Sequence, residues 1–265
     1  MNDTLLLDWL RSEDAGATDP AFERIDFSSV GNLTCEIVAL VAAELISARM
    51  DPMVEAGLKE RLTKEKYSEM LEVVANPVNE KTQKGDLGEV LAAVSLVKHL
   101  GFVVPVKKMR YKIRSTDQQT GVDVSGFRLD EERRIIEICY LESKLRTVRD
   151  TAFAVEAHNQ LLSAASGGVL VAYHNFLASA LKSEGAEMLE AFLDAICGTF
   201  PCRVSFFVAL HTDPAVWSET AVMNLARRPP SLDPLTVMVF RIADLSAAIA
   251  RCYEAVGLQP GDEDD

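Results

Sequence analysis

The order of elements predicts an α/β fold with a mixed central sheet and an N-terminal helical region. Apolar periodicity is helical at 33–49, 85–101 and 150–168. It is strand-like at 121–129, 133–146, 203–212 and 235–243, with helical and strand segments interleaved from residue 85 onward.

Taken in order, residues 1–30 read as polar and irregular, apart from a short helix at "LLLDWL". "LTCEIVALVAAELISAR" (33–49) is a helix, and a second runs from about 54 to 75. Pro77 and the polar cluster around it make 76–86 a loop. "GDLGEVLAAVSLVKHLG" (85–101) is a helix that stops at Gly101. Residues 103–115 are expected to be extended, with Lys108, Arg110, Lys112 and Arg114 alternating against Met109, Tyr111 and Ile113. Short strands follow at 121–129 and 133–146. The helix at 150–168 has Asp150 as its N-cap and Gly167 past its end. Another helix spans about 176–197, strands occupy 203–212 and 235–243, and a helix closes the chain at 244–257. The expected organisation is an N-terminal helical region at 1–80, suited to holding a partner, a main domain at 81–258, and a disordered acidic tail at 259–265.

The bulk composition narrows the function classes. With 265 residues, 48% hydrophobic and 25% charged, the chain reads as an ordinary globular protein. The run at 37–46 is too short to cross a bilayer and contains Glu44, and the first residues lack the pattern of a signal peptide, so a cytoplasmic protein without a membrane span is expected. The five cysteines and four histidines are scattered, which suggests neither a disulfide framework nor a zinc site. The net charge of −13 argues against a surface that grips nucleic acid all over. The charge is uneven, however. Residues 81–150 hold 14 Lys/Arg against 10 Asp/Glu, whereas the remainder holds 13 against 30.

That basic segment contains "YLESKLR" at the end of the strand-like run "RIIEIC". In a strand, Glu142 and Lys144 stand side by side on one face. Unpaired buried charges cost several kcal/mol, so the pair needs a partner or a use. Asp123, in "TGVDVSG" on the preceding strand, can converge with them if the strands are neighbours, and Glu89 in "GDLGEV" can reach the same spot from its helix. Two carboxylates with a backbone carbonyl can hold a hard divalent cation such as Mg²⁺, and a lysine beside them can orient water and stabilise charge developing on phosphorus. That chemistry is phosphodiester hydrolysis. The competing reading is a salt bridge at a sheet edge, with Glu89 a solvated helix residue.

"GVD" some twenty residues before "ESK", after a helix bearing "GDLGE", resembles the PD-(D/E)xK nuclease superfamily. Val122 stands where that motif has its proline. The resemblance implies a restriction-endonuclease-like αβββαβ core. It implies catalytic roles for Asp123, Glu142, Lys144 and Glu89, with Mg²⁺ or Mn²⁺ on Asp123 and Glu142. A closer resemblance, over about 83–165, is to the HamA family of Hachiman antiphage defence, through "GDLGE", "KKMRYKIRSTDQQTGVDVSGF" and "LESKL". It implies a nuclease restrained by a helicase subunit (HamB-like) until foreign or damaged DNA is sensed.

The expected substrate is double-stranded DNA. Lys108, Arg110, Lys112 and Arg114 are candidate phosphate contacts, although a plain solvated strand face fits them equally. Gln160, on the helix after the ESK strand, is a further candidate DNA contact; a surface polar role is the alternative for it and for His158. Rival functions are a catalytically inactive binding module, a DNA repair or restriction nuclease, and an RNase.

Overall fold

Capping residues explain where the helices begin, and buried strand faces explain how they stack. The computed structural model describes residues 4–13, 22–31, 33–111, 121–184, 186–227 and 231–257. The chain opens with α1 (Thr4–Trp9), β1 (Leu10–Glu13) and β2 (Glu23–Ser29). Three helices follow, α2 (Cys35–Arg49), α3 (Pro52–Arg61) and α4 (Lys64–Ala75). The side chains of Thr34, Asp51 and Thr63 cap them by accepting from first-turn amides. The single helix expected at 54–75 is thus two, because Thr63 starts a new one. Likewise α5 (Glu80–Lys98) begins earlier than Pro77 and its polar neighbours indicated, because Asn79 accepts from Lys81 N.

After α5 the expected first strand is not formed. Val103 makes one antiparallel bridge to Phe127, and Lys108–Tyr111 is a 3-10 turn. Pro105 cannot donate to a ladder, and the side chains of Lys107 and Arg110 find their partners on α2 instead. Lys112 and Arg114 lie outside the described residues, as does the acidic tail. The chain continues with β3 (Val124–Leu129), β4 (Ile135–Arg146), α6 (Phe153–Ala164), α7 (Gly167–Glu184) and α8 (Ala186–Cys197). Then come β5 (Arg203–Thr212), α9 (Thr220–Ala226), β6 (Leu235–Arg241) and α10 (Leu245–Gly257).

The six strands form one sheet in the order β1-β2-β6-β5-β4-β3. The four central strands are parallel, and β1 and β3 pair antiparallel at the two edges. Residues 10–29, expected to be irregular, therefore supply two strands. Their anchors are distant in sequence: Phe27 stacks on Phe240 at 4.6 Å, and Arg241 pairs with Glu13 at 2.6 Å and with Asp26 at 3.2 Å.

Side chains on one face of the sheet, including Leu141, Ala209 and Met238, pack under α2, α5 and α10. Those on the other face, including Tyr140, Val208 and Val239, pack under α6, α7 and α9. The architecture is a mixed α/β sandwich of three layers, with the N-terminal helix α2 contributing to the first core. Among the described residues no single helix is long and apolar enough to cross a membrane; α6 and α7 qualify only together, and a 78° bend separates them.

Two buried polar features hold the first layer. Arg49, at the end of α2, ion-pairs with Asp86 on α5, and both side chains are almost fully buried. His211 on β5 is wholly buried, stacks on Phe240 at 4.4 Å, and its two ring nitrogens find no hydrogen-bond partner among the described residues. Burial lowers its pKa to about 3.

Two outcomes are expected. Asp86→Ala leaves a buried guanidinium uncompensated and should cost roughly 3–5 kcal/mol in urea denaturation; a loss below about 1 kcal/mol would show that the pair is dispensable. For His211 the folded-state pKa is depressed below the ordinary value near 6.5. Its stabilisation is complete above about pH 6.5 and is lost as pH falls toward 3, by about 1.4 kcal/mol per pH unit. His211→Leu should remove that part of the slope, measured by melting both proteins between about pH 5 and 7.5. Parallel slopes would rule the effect out.

Candidate active site

The site forms because β3 stops short of its neighbour. β3 begins with Val124 opposite Leu141, so residues 142–146 of β4 have no strand beside them on that side. On the other side they remain paired to β5, from Glu142 opposite Val208 to Arg146 opposite Thr212. Asp123 closes the gap. Its amide donates to the Leu141 carbonyl at 3.0 Å, and its carboxylate Oδ2 accepts from the Ser143 amide at 2.9 Å. A side chain thus takes the place of a ladder partner and fixes itself beside Glu142.

Glu142 and Lys144 share the face that the alternation predicts. Lys144 Nζ donates to Glu142 Oε1 at 2.5 Å, and both side chains are largely buried. Burial pushes the Glu142 carboxyl well above the ordinary carboxylate range, and the neighbouring Asp123 charge adds to this. Lys144 and Lys108 act in the opposite direction. Asp123, Glu142 and Lys144 all line one open cleft of about 1130 Å³.

The "GDLGE" motif supplies one wall of this cleft. Asp86 makes the buried ion pair with Arg49, Leu87 enters the core, and Glu89 faces the cleft. Gly88 lets α5 lie directly on β4: a Cβ there would sit 2.8 Å from Ser143 Oγ and 3.4 Å from the His211 ring. Gly121 has an equally strict role before Asp123. Its φ of +99° favours glycine, and a Cβ would fall 2.3 Å from the Tyr173 ring. Tyr173 in turn shares a hydrogen bond with Ser125 at 3.0 Å.

The structure brings together Asp123, Glu142, Lys144, Glu89 and Gln160, all at the cleft. It redirects the basic segment. Lys108 is buried, and its Nζ donates to the Val122 carbonyl at 2.9 Å, so it is not on a solvated strand face. Arg110 Nε donates to the Ser47 carbonyl of α2 at 2.9 Å, away from the cleft. His158 is buried on α6, and its Nε2 has no partner among the described residues.

Three basic residues of the cleft, Lys81, Lys84 and Arg146, escaped the sequence reading. Arg146 continues the alternation of Glu142 and Lys144, which could have flagged it; it bonds to Asp150 at 3.1 Å and Glu156 at 2.7 Å. Lys84 bonds to Thr147 at 2.9 Å and to Glu80 at 2.6 Å. Glu80 lies one helical turn before Lys84, a pairing the sequence could have flagged, whereas Thr147 is distant in the chain. The cleft lining among the described residues carries five acidic and five basic side chains, so its formal charge balances.

The chain is therefore a mixed α/β protein whose β4 ends in a buried acid-x-lysine pair beside a second carboxylate, at the mouth of a charged cleft. Comparison with protein families makes this more specific. A model of the HamA family matches residues 38–256, and the chain belongs to that family, a group associated with Hachiman defence. The match extends well beyond 83–165, over which the sequence motifs showed the same resemblance. No curated protein matches the chain.

The contact of Gly88 with Ser143 can be tested by a double mutant. Gly88→Ala should cost about 1–3 kcal/mol by overpacking. Adding Ser143→Ala should restore a good part of it, because the clashing oxygen is gone. Strict additivity of the two changes in thermal melts would exclude the contact.

Proposed function

We propose that the protein is a metal-dependent deoxyribonuclease of the PD-(D/E)xK type, acting as the effector of an antiphage defence system under the control of a helicase subunit. The observation that carries this reading is the convergence of Asp123, Glu142 and Lys144 at the cleft. Membership of the HamA family supports the defence role.

The donor set suits Mg²⁺ or Mn²⁺. Among the described residues no group of three or more His, Cys, Asp or Glu side chains is arranged to hold a metal ion. The fit therefore rests on two carboxylates, with water and backbone carbonyl completing the shell. Burial, and after it the repulsion from Asp123, raise the Glu142 pKa, and a cation bound between the two carboxylates relieves both. Bound there, the ion supplies Lewis-acid polarisation of a phosphoryl oxygen and a more acidic water. Asp123, pinned by the Ser143 amide, and Glu142, set by β4 and β5, would hold it. Lys144 would leave Glu142 to orient the attacking water and stabilise charge developing on the phosphate. Glu89 reaches the cleft from α5 as an additional acid.

The balanced charge of the cleft supports an enzyme that grips duplex DNA weakly on its own and depends on a partner to hold the substrate. The N-terminal helices are the proposed contact region, because α3 has no buried residue and leaves Met53 and Val54 exposed. One observation favours a rival, the catalytically inactive binding module: the Glu142–Lys144 pair is already mutually satisfied.

The deciding experiment is cleavage of plasmid DNA by the full chain, alone and with the cognate helicase and ATP. Cleavage should require Mg²⁺ or Mn²⁺, cease with EDTA, and fall at least about 100-fold in Lys144→Ala. No cleavage under any of these conditions would favour the binding module.

A further inference from the structure

The buried ammonium of Lys108 is the feature of the cleft that the proposed reaction does not use. Its backbone is fixed from outside. Just before the 3-10 turn, Lys107 Nζ donates to Glu44 Oε2 and Ser47 Oγ of α2, each at 2.9 Å, and within the turn Arg110 Nε donates to the Ser47 carbonyl. The Lys108 side chain runs the other way, into the protein. It is only 7% exposed, and its Nζ bonds to the carbonyl of Val122, the residue before Asp123. It lines both the cleft and a smaller cavity behind it, in each case with Asp123 and Glu89.

A neutral carbonyl does not offset the cost of burying an ammonium, which takes opposite charge nearby. Asp123 and Glu142 provide that charge. With Glu89, which lines the same cleft, three carboxylates face the two ammonium groups of Lys108 and Lys144, a net of one negative charge. A divalent cation entering this group leaves an excess of one positive charge. The cleft position that best offsets the excess is one occupied by a phosphate.

We propose that Lys108 is a positioning residue that pre-neutralises the Asp123–Glu142 pair and so makes divalent-cation binding depend on a phosphodiester in the cleft. This rests on the metal-dependent nuclease reading and extends it. Linkage makes the dependence reciprocal: the cation strengthens the hold on DNA by the same factor. Asp123 does not need Lys108 to stay in place, because its own amide and carboxylate are bonded to β4. Removing the Lys108 charge should therefore act mainly through electrostatics.

The test is Mn²⁺ binding to the full chain, read from the electron paramagnetic resonance signal of free Mn²⁺ at about pH 8. It is run with and without a short, nuclease-resistant phosphorothioate duplex. Wild type should bind Mn²⁺ weakly alone and about tenfold or more tightly with the duplex, the order expected for one unit charge several ångströms from a divalent ion. Lys108→Gln, which keeps a donor for the Val122 carbonyl, should bind Mn²⁺ about tenfold more tightly alone and lose most of the enhancement. Lys108→Arg should behave as wild type. Lys108→Met repeats the neutral substitution should the Gln variant fail to fold. Folded neutral variants whose Mn²⁺ affinity equals or falls below wild type, or a wild type indifferent to the duplex, would overturn the proposal while leaving the metal site standing. Absence of Mn²⁺ binding in every protein, with or without duplex, would remove the metal-site reading itself and this proposal with it.

Discussion

The bond from the Ser143 amide to the Asp123 carboxylate is the contact on which the site depends. A strand that outruns its neighbour leaves amides and carbonyls without ladder partners, and buried ones must be satisfied. Here the first of those amides is taken by a side chain. The chain thereby gains three things from one bond: a closed end to the β3–β4 pairing, a fixed carboxylate beside Glu142, and an opening past that point into which a large ligand can enter. A β3 longer by two residues would have paired with the edge of β4 that the Asp123 carboxylate now closes.

Around this bond the core and the site are built from the same residues. α5 buries Leu87, Val90 and Leu91 in the first layer while presenting Glu89 to the cleft. It can do both because Gly88 brings its backbone onto β4, and because Asp86 ties it to the end of α2. Gly121 and Tyr173 do the same from the other side of the sheet. Shifts in helix packing therefore reach the carboxylates directly, and two helices that look like scaffolding set the geometry of the charges.

The legible part of this arrangement was local. Alternation placed Glu142 and Lys144 on one face, and the spacing of helices and strands from residue 85 gave the α/β class. Asp123 and Glu89 were found because their motifs are compact. What was missed depends on partners far away in the chain. β1 and β2 look polar until Phe240 and Arg241 are placed beside them. Residues 107–111 carry the alternation of a strand, yet Glu44 and Ser47 of α2 and the Val122 carbonyl draw their side chains to opposite sides of a turn. Periodicity records which side chains are apolar; it does not record which distant acid a lysine will meet.

The two rims of the sheet are finished differently from its centre. β1 is four residues long, its Arg11, Ser12 and Glu13 are exposed, and only Leu10 is buried. At the opposite rim, β3 is partly covered by the Val103 bridge, whose two hydrogen bonds to Phe127 measure 2.8 Å each. A long, flat, apolar rim would be a template on which further copies add strand by strand. A short charged rim on one side and a tethered loop on the other discourage that growth. The consequence is colloidal: edge-to-edge addition of further copies is disfavoured at both rims.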